Sequence, residues 1–483
     1  MKEKSIKKNA FYSFLKAFFR LVFPLITFPY ASRILLPAGI GKVNSANSIS
    51  SYFHLLALLG IESYAVREAA KLKDDKQALS KFSVEILCIN TVSMIISYSL
   101  FFLALFFIPK LSEIRNLLLV CGTGIFFSTV GMDWLFQATE EFKYTTTATF
   151  ISQIIGVVFL FLFVKSDGDC IYYAVFSIIT TVGRNICNIF YAHKFITFRI
   201  KEKLEIKKHL KPIFVFFGMT ISTSLYETLD TTVLWALSTD TEIGYYSAAT
   251  KITRIIVGLL VAVSAVLLPR LSYYKKNNEE EKINSLASEG LNLIVLLSLP
   301  IVFGLIGIAK PLILIFCGKA YLPAIPSMYI ISPLIYVMGI SSLIGGQYLP
   351  AINKEKIPLI SYISGAIINF TFNCLLIPSY GAKGAAIGSL LAETCVMLIQ
   401  FIYIHKVFLN KEFIINTLEA LFSSTIMLVV LIILYRLLEN YSPFLQILVQ
   451  ISAGIIIYFI ILMIFKNSLL KKYLLIIKSK LRK

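Results

Sequence analysis

Apolar stretches of about twenty residues recur along the whole chain, separated by short polar breaks. At 1.5 Å of rise per helical residue, each is long enough to cross the hydrocarbon core of a bilayer. Breaks at charge clusters and at Pro/Gly turns delimit spans near 10–36, 43–66, 82–108, 115–137, 145–164, 170–193, 212–237 and 244–269. Six more lie near 287–309, 324–349, 358–377, 383–405, 413–435 and 443–465. The pattern predicts an all-α membrane protein of about 14 transmembrane helices. The second, seventh and tenth spans are the least apolar.

Charge placement tests that count. With residue 1 inside and sides alternating, the inner segments carry 32 of the 46 Lys/Arg and the outer loops 8, counting Arg115 and Lys383 at the span edges, leaving 6 within spans. Positive residues collect on the cytoplasmic side of membrane proteins. A wrong count in the middle would scramble the asymmetry, so both termini are expected in the cytoplasm. The richest connector is 194–211, with seven Lys/Arg. It follows the sixth span and divides the chain into two six-span halves.

Weak internal similarity agrees. At an offset of 203, Ile40, Gly41, Ala46 and Ile49 match Ile243, Gly244, Ala249 and Ile252. At an offset of 212, Ala174, Tyr191, His193 and Lys194 match Ala386, Tyr403, His405 and Lys406. Because six is even, both halves start on the same side, as parallel repeats do. The expected organisation is a six-helix bundle over 1–206, a second over 207–411, and two further helices with a basic tail over 412–483.

Composition sharpens the class. Over 483 residues, 57% are hydrophobic, only 15% are charged, and mean hydropathy is +0.78. The net charge of +19 sits in short clusters between apolar runs, with no basic face carrying stacking aromatics, so nucleic acid is not the expected partner. The seven cysteines have no metal-ligand spacing and most lie inside apolar runs, where they read as small apolar residues. The first apolar run is too long for a signal peptide and lacks a small-residue cleavage site. A Gly-rich phosphate loop, a nucleophile elbow and an acidic metal cluster are all missing, which argues against an enzyme.

The chemistry lies in ionisable residues inside the spans. Such a group costs about 2.5–3.5 kcal/mol at mid-membrane and normally faces a cavity or a partner. Arg20 and Arg254 each lie roughly 15 Å into their spans, and Lys251 roughly 10 Å. Arg184 lies past the middle of the sixth span, Glu393 near the middle of the twelfth, and Glu227 and Asp230 in the outer third of the seventh. Arg20, Lys251 and Arg254, with Arg33, are candidate cavity cations. Asp230, Glu227, Glu393 and Arg184 are candidates for ion coupling or charge pairing. Thr181 is the repeat equivalent of Glu393, so Arg184 one turn on is the partner expected for Glu393. Lys16 is close enough to its span end to snorkel. Glu62, Glu85 and Asp133, near inner ends, could pair with Arg67 or Lys81, and Glu227 and Asp230 with Lys251. His54 reads as a packing residue or a proton site. Pro24 and Pro29 are expected to kink the first span. Its counterpart is the tenth, with Pro333, Gly339, Gly345 and Gly346.

Five segments, Pro29–Gly41, Leu59–Lys71, Asp133–Glu141, Asp230 with Ile243–Ile252, and Pro378–Ala386, stand out in order along the chain. Together they resemble the bacterial polysaccharide repeat-unit flippases, in the superfamily that also holds multidrug-and-toxin extruders and the lipid II flippase. The resemblance covers about 10 to 410. It implies two six-helix bundles around a central cavity, plus two extra helices. It implies transport of an undecaprenyl-diphosphate-linked oligosaccharide to the outer leaflet of the bacterial cytoplasmic membrane, for O-antigen, capsule or exopolysaccharide synthesis. No cofactor is implied, and the coupling ion, H+ or Na+, stays open. A polysaccharide polymerase and a chain-length regulator are the expected partners. The competing readings are a multidrug exporter of the same fold and a membrane-embedded glycan polymerase or acyltransferase.

Overall fold

The computed structural model describes residues 6–472, apart from the side chains of 6, 7, 10, 219, 222–227, 406 and 407. The described residues are helical with short connectors, and no strand occurs among them. Eleven helices are long and apolar enough to cross a membrane. Every expected span falls on a helix or a broken pair of helices. The first two run together as α1, Ile6–Leu58. The fourth is the shorter α4, Arg115–Val130, and the seventh is not among the eleven.

The chain forms two compact units, Met1–Gly244 and Tyr245–Lys483. The first contains α1; α2, Ile61–Leu72; α3, Lys76–Phe107; α4; α5, Asp133–Ala138; α6, Phe142–Phe163; α7, Cys170–Tyr191; and α8, Lys207–Leu237. Its buried apolar centre includes Leu79, Ile86, Leu135 and Phe136. Val92, Ile96, Leu103 and Phe106 of α3 recur at helical spacing and are all exposed. An apolar stripe turned outward is what a lipid-facing helix presents.

The break in α1 is not where the prolines at 24 and 29 led us to place it. Both lie inside continuous helix, and the non-helical residue is Leu36, with φ 59° and ψ 176°. Leu36 precedes Pro37, whose ring disfavours the α conformation of the residue before it. A non-glycine residue at such angles stores about 1–3 kcal/mol of strain. Past the break, an ideal Cβ on Gly41 would lie 1.8 Å from the Asp240 carbonyl oxygen, and one on Gly244 would lie 2.1 Å from that of Pro37.

The second unit contains most of α9, Asp240–Ala265, then α10, Leu268–Lys276, α11, Glu280–Phe316, and α12, Leu334–Leu343. It ends with α13, Lys356–Tyr380; α14, Ala382–Phe408; α15, Lys411–Leu437; and α16, Pro443–Ile464. Its core gathers Leu291, Val295, Leu343 and Phe408. The tenth expected span is broken as anticipated: helix at Ile325–Ile331, a new start after Pro333, then a wide π turn at Ile344–Tyr348. Gln400 of α14 stitches that region. Its Oε1 accepts from Ser341 at 3.1 Å, and its Nε2 donates to Ser361 at 3.0 Å. A Cβ on Gly345 would meet that Nε2 at 2.4 Å, so the glycine lets the amide reach in.

Candidate substrate cavity

In the first unit, charged residues from four helices converge. Arg20 is exposed and Lys16, one turn before it on α1, is half-buried. Lys16 lies within electrostatic reach of Arg184, Asp133, Arg20 and Glu62. It therefore belongs to a cluster of charges carried by four helices. Neither Lys16 nor Arg20 makes a hydrogen bond or ion pair among the described residues.

The two carboxylates of the cluster are occupied. Arg184 forms a forked pair with Asp133, Nε to Oδ1 at 3.1 Å and Nη2 to Oδ2. Asn188 Nδ2, one turn along α7, adds 2.7 Å to the same Oδ1. A planar guanidinium on a carboxylate is among the strongest ion-pair geometries. This replaces the Arg184–Glu393 pair expected from the repeat. Gln137 Nε2 donates to Glu62 Oε1 at 2.8 Å. Subtracting the Arg184–Asp133 pair leaves Lys16 and Arg20 against one carboxylate, an excess of positive charge at that place.

Pairing with Arg67 or Lys81 is not what the structure shows for the three inner carboxylates. Arg67 bonds Glu68 at 2.8 Å, and Lys81 bonds Glu202 at 2.8 Å. Glu85, only 1% exposed, instead accepts from His209 Nε2 at 2.7 Å and from the Glu205 backbone N–H at 2.7 Å. Tyr64 Oη lies 2.7 Å from the other ring nitrogen of His209. That buried chain fastens the start of α8 to α2 and α3, and no spacing in the sequence announces it.

The remaining expected site residues are distributed as follows. Arg33 donates to the Pro29 carbonyl of its own helix at 3.1 Å. Asp230 is buried on α8, and the side chain of Glu227 lies outside the described residues. In the second unit, Lys251 and Arg254 are both exposed on α9, three residues apart and within electrostatic reach of each other. Glu393 is buried on α14, within electrostatic reach of Tyr362. His54, Glu62 and Ser63 line a cavity of about 290 Å³ in the first unit, together with Tyr52, Thr220 and Thr228.

Long helices with apolar stripes turned outward and a cluster of charged residues among them define a multi-pass membrane protein. The family model described as polysaccharide biosynthesis protein matches residues 6–275, and the chain belongs to that family. The MatE model matches 216–375. A protein carrying the name O-antigen transporter in Shigella dysenteriae is 26% identical over 401 residues, 81% of this chain and 98% of that one. A namesake in Escherichia coli (strain K12) is 23% identical over 411 residues, covering 83% and 97%. Among solved structures, lipid II flippase MurJ in an inward closed conformation aligns with a TM-score of 0.74 at 22% identity, covering 96% of this chain and 99% of that one. An inward-facing multidrug resistance MATE family transporter aligns with a TM-score of 0.61 at 13% identity, covering 81% and 98%. These structures share the fold.

Proposed function

We propose that this chain is a flippase that moves undecaprenyl-diphosphate-linked oligosaccharide repeat units from the inner to the outer leaflet of the bacterial cytoplasmic membrane. The supporting observation is the cation excess around Lys16 and Arg20, inside a helical unit whose outer surface is apolar. A diphosphate bearing a hydrophilic glycan needs such a hydrated, cationic place, while its polyprenyl tail stays in lipid. Membership of the polysaccharide biosynthesis family fits the same substrate. The relatives named for O-antigen transport add to it across nearly their whole length.

In this reading the repeats are 1–206 and 207–411, with 412–483 an appendage, and rocking of the repeats exposes the cavity to alternate sides. Both termini face the cytoplasm. Arg20, Lys251, Arg254 and Arg33 are the candidate cations for the substrate charge. Asp230, Glu227 and Glu393 are the candidates for binding H+ or Na+. A polymerase and a chain-length regulator would receive the flipped units.

The test is export. Arg20→Ala and Arg254→Ala should each abolish surface polysaccharide at near-normal protein level, in cells that depend on this chain for it. Normal surface polysaccharide in both variants would contradict the reading. The MatE match favours one rival, a multidrug exporter, which would instead remove organic cations from cells and leave surface glycan unchanged when deleted.

A further inference from the structure

The cavity beside the cation pair has a chemistry of its own. It lies between the second half of α1, the start of α2 and the middle of α8. Gly60, at φ 68°, starts α2, and a Cβ there would sit 2.6 Å from the Phe217 backbone nitrogen. Only a residue without a side chain lets α2 begin against α8, and that close approach walls one end of the cavity. Tyr52 is fixed by a 2.8 Å hydrogen bond to Thr232, which also takes a 2.8 Å bond from Ser48. The walls are therefore tied together before any ligand arrives.

Three of the lining side chains keep hydrogen-bonding capacity unused among the described residues. His54 and Ser63 make no hydrogen bond, and Glu62 uses Oε1 on Gln137 but not Oε2. Among the described residues, no Lys or Arg lines the cavity. Its described lining is rich in hydroxyls and acceptors, with the Glu62 carboxylate, the His54 imidazole, the Tyr52 phenol ring and the apolar Leu55 and Leu58. That mixture suits a neutral polyol better than a phosphate. The volume of about 290 Å³ stands near the lower end of the ~300–1,000 Å³ of small-ligand sites, room for one sugar ring and its substituents. Glu62 is also within electrostatic reach of Lys16, which in turn senses Arg20. A diphosphate on Lys16 and Arg20 would place the sugar bonded to it beside Glu62.

We propose that this cavity is the subsite for the first sugar of the repeat unit, with His54, Glu62 and Ser63 reading its hydroxyl or acetamido groups. This rests on the flippase reading and specifies where within the first unit that substrate is recognised. The transport cycle then selects its glycan by the diphosphate-proximal ring, and sugars farther out are left unread by these residues.

The test measures binding to the purified full chain in detergent micelles, using two probes: a prenyl diphosphate, and the same prenyl diphosphate carrying one hexose. Wild type should bind the hexose-bearing probe about tenfold or more tighter, the gain of one or two hydrogen bonds to charged or neutral partners. Glu62→Gln, which keeps an acceptor for Gln137, and the triple variant His54→Leu with Ser63→Ala and Glu62→Gln should shrink that ratio stepwise toward one. Their affinity for the bare diphosphate should not fall, because Glu62→Gln removes a negative charge within reach of Lys16. Arg20→Ala should weaken both probes alike. An equal affinity of wild type for the two probes overturns the subsite while leaving the flippase reading standing, as does a ratio unchanged in the triple variant. Binding of neither probe, or Glu62-dependent binding of a lipophilic cation such as ethidium in their place, overturns both.

Discussion

Glu85 and Asp133 show how a buried or half-buried carboxylate is partnered in an apolar bundle. Each takes its partners from helices distant in sequence: Glu85 from His209 and the Glu205 N–H, Asp133 from Arg184 and Asn188. A carboxylate only accepts, so His209 donates through Nε2, while its Nδ1 shares a hydrogen bond with the Tyr64 hydroxyl. The sequence marked these acids by depth but could not choose their partners. Arg67 and Lys81 were nearest along the chain, yet the inner connector brings Glu202 to Lys81 and Lys208 and His209 to Glu85. Outside the membrane, the Lys81 ammonium holds the Glu202 carboxyl below its ordinary value. That pair contributes above the ordinary carboxylate range and is lost as pH falls through the depressed one. For Asp133, breaking one side of such a pair costs about 3–5 kcal/mol, because the other charge is left behind. Arg184→Gln should therefore cut the folded yield after detergent extraction, and adding Asp133→Asn should restore much of it. A double variant as poor as the single would show that Arg184 supports the fold by another route.

Among elements, the existence and order of the helices were legible from hydropathy alone, since bilayer thickness dictates the length of every apolar run. The position of the break in α1 was not. Proline is tolerated inside membrane helices, so Pro24 and Pro29 did not have to break the helix, and only Leu36 before Pro37 left it. Pro37 and Asp240 stand 203 residues apart, as do Gly41 and Gly244. A Cβ on Gly41 would meet the Asp240 carbonyl, and one on Gly244 that of Pro37. Gly41→Ala and Gly244→Ala should each depress folded yield and thermal stability by about 1–3 kcal/mol or more, as overpacking does. Gly346→Ala, where nothing lies within 4 Å of the added carbon, is the control and should cost about 1 kcal/mol or less. Equal behaviour of all three in a thermal-unfolding assay would refute the close approach.

For the whole molecule, the transport reading follows from combining a lipid-exposed exterior with charges that no soluble loop explains. The candidate cations Arg20 and Arg254 were visible because arginine at mid-span is costly and therefore rare. Distance along a helix to its end could not show what the neighbouring helices present to Lys16: Asp133 and Glu62 attract it, and Arg184 and Arg20 repel it. The sugar-sized cavity was invisible in sequence, since Tyr52, His54, Glu62 and Thr220 come from three helices. The most direct measurement reconstitutes the purified chain into liposomes with an undecaprenyl-diphosphate-linked oligosaccharide, and follows accessibility of its glycan to an enzyme added outside. The account predicts that glycan in the inner leaflet becomes accessible with wild type and stays protected with Arg20→Ala. Glycan that stays protected with wild type under both an imposed proton gradient and an imposed sodium gradient would contradict it.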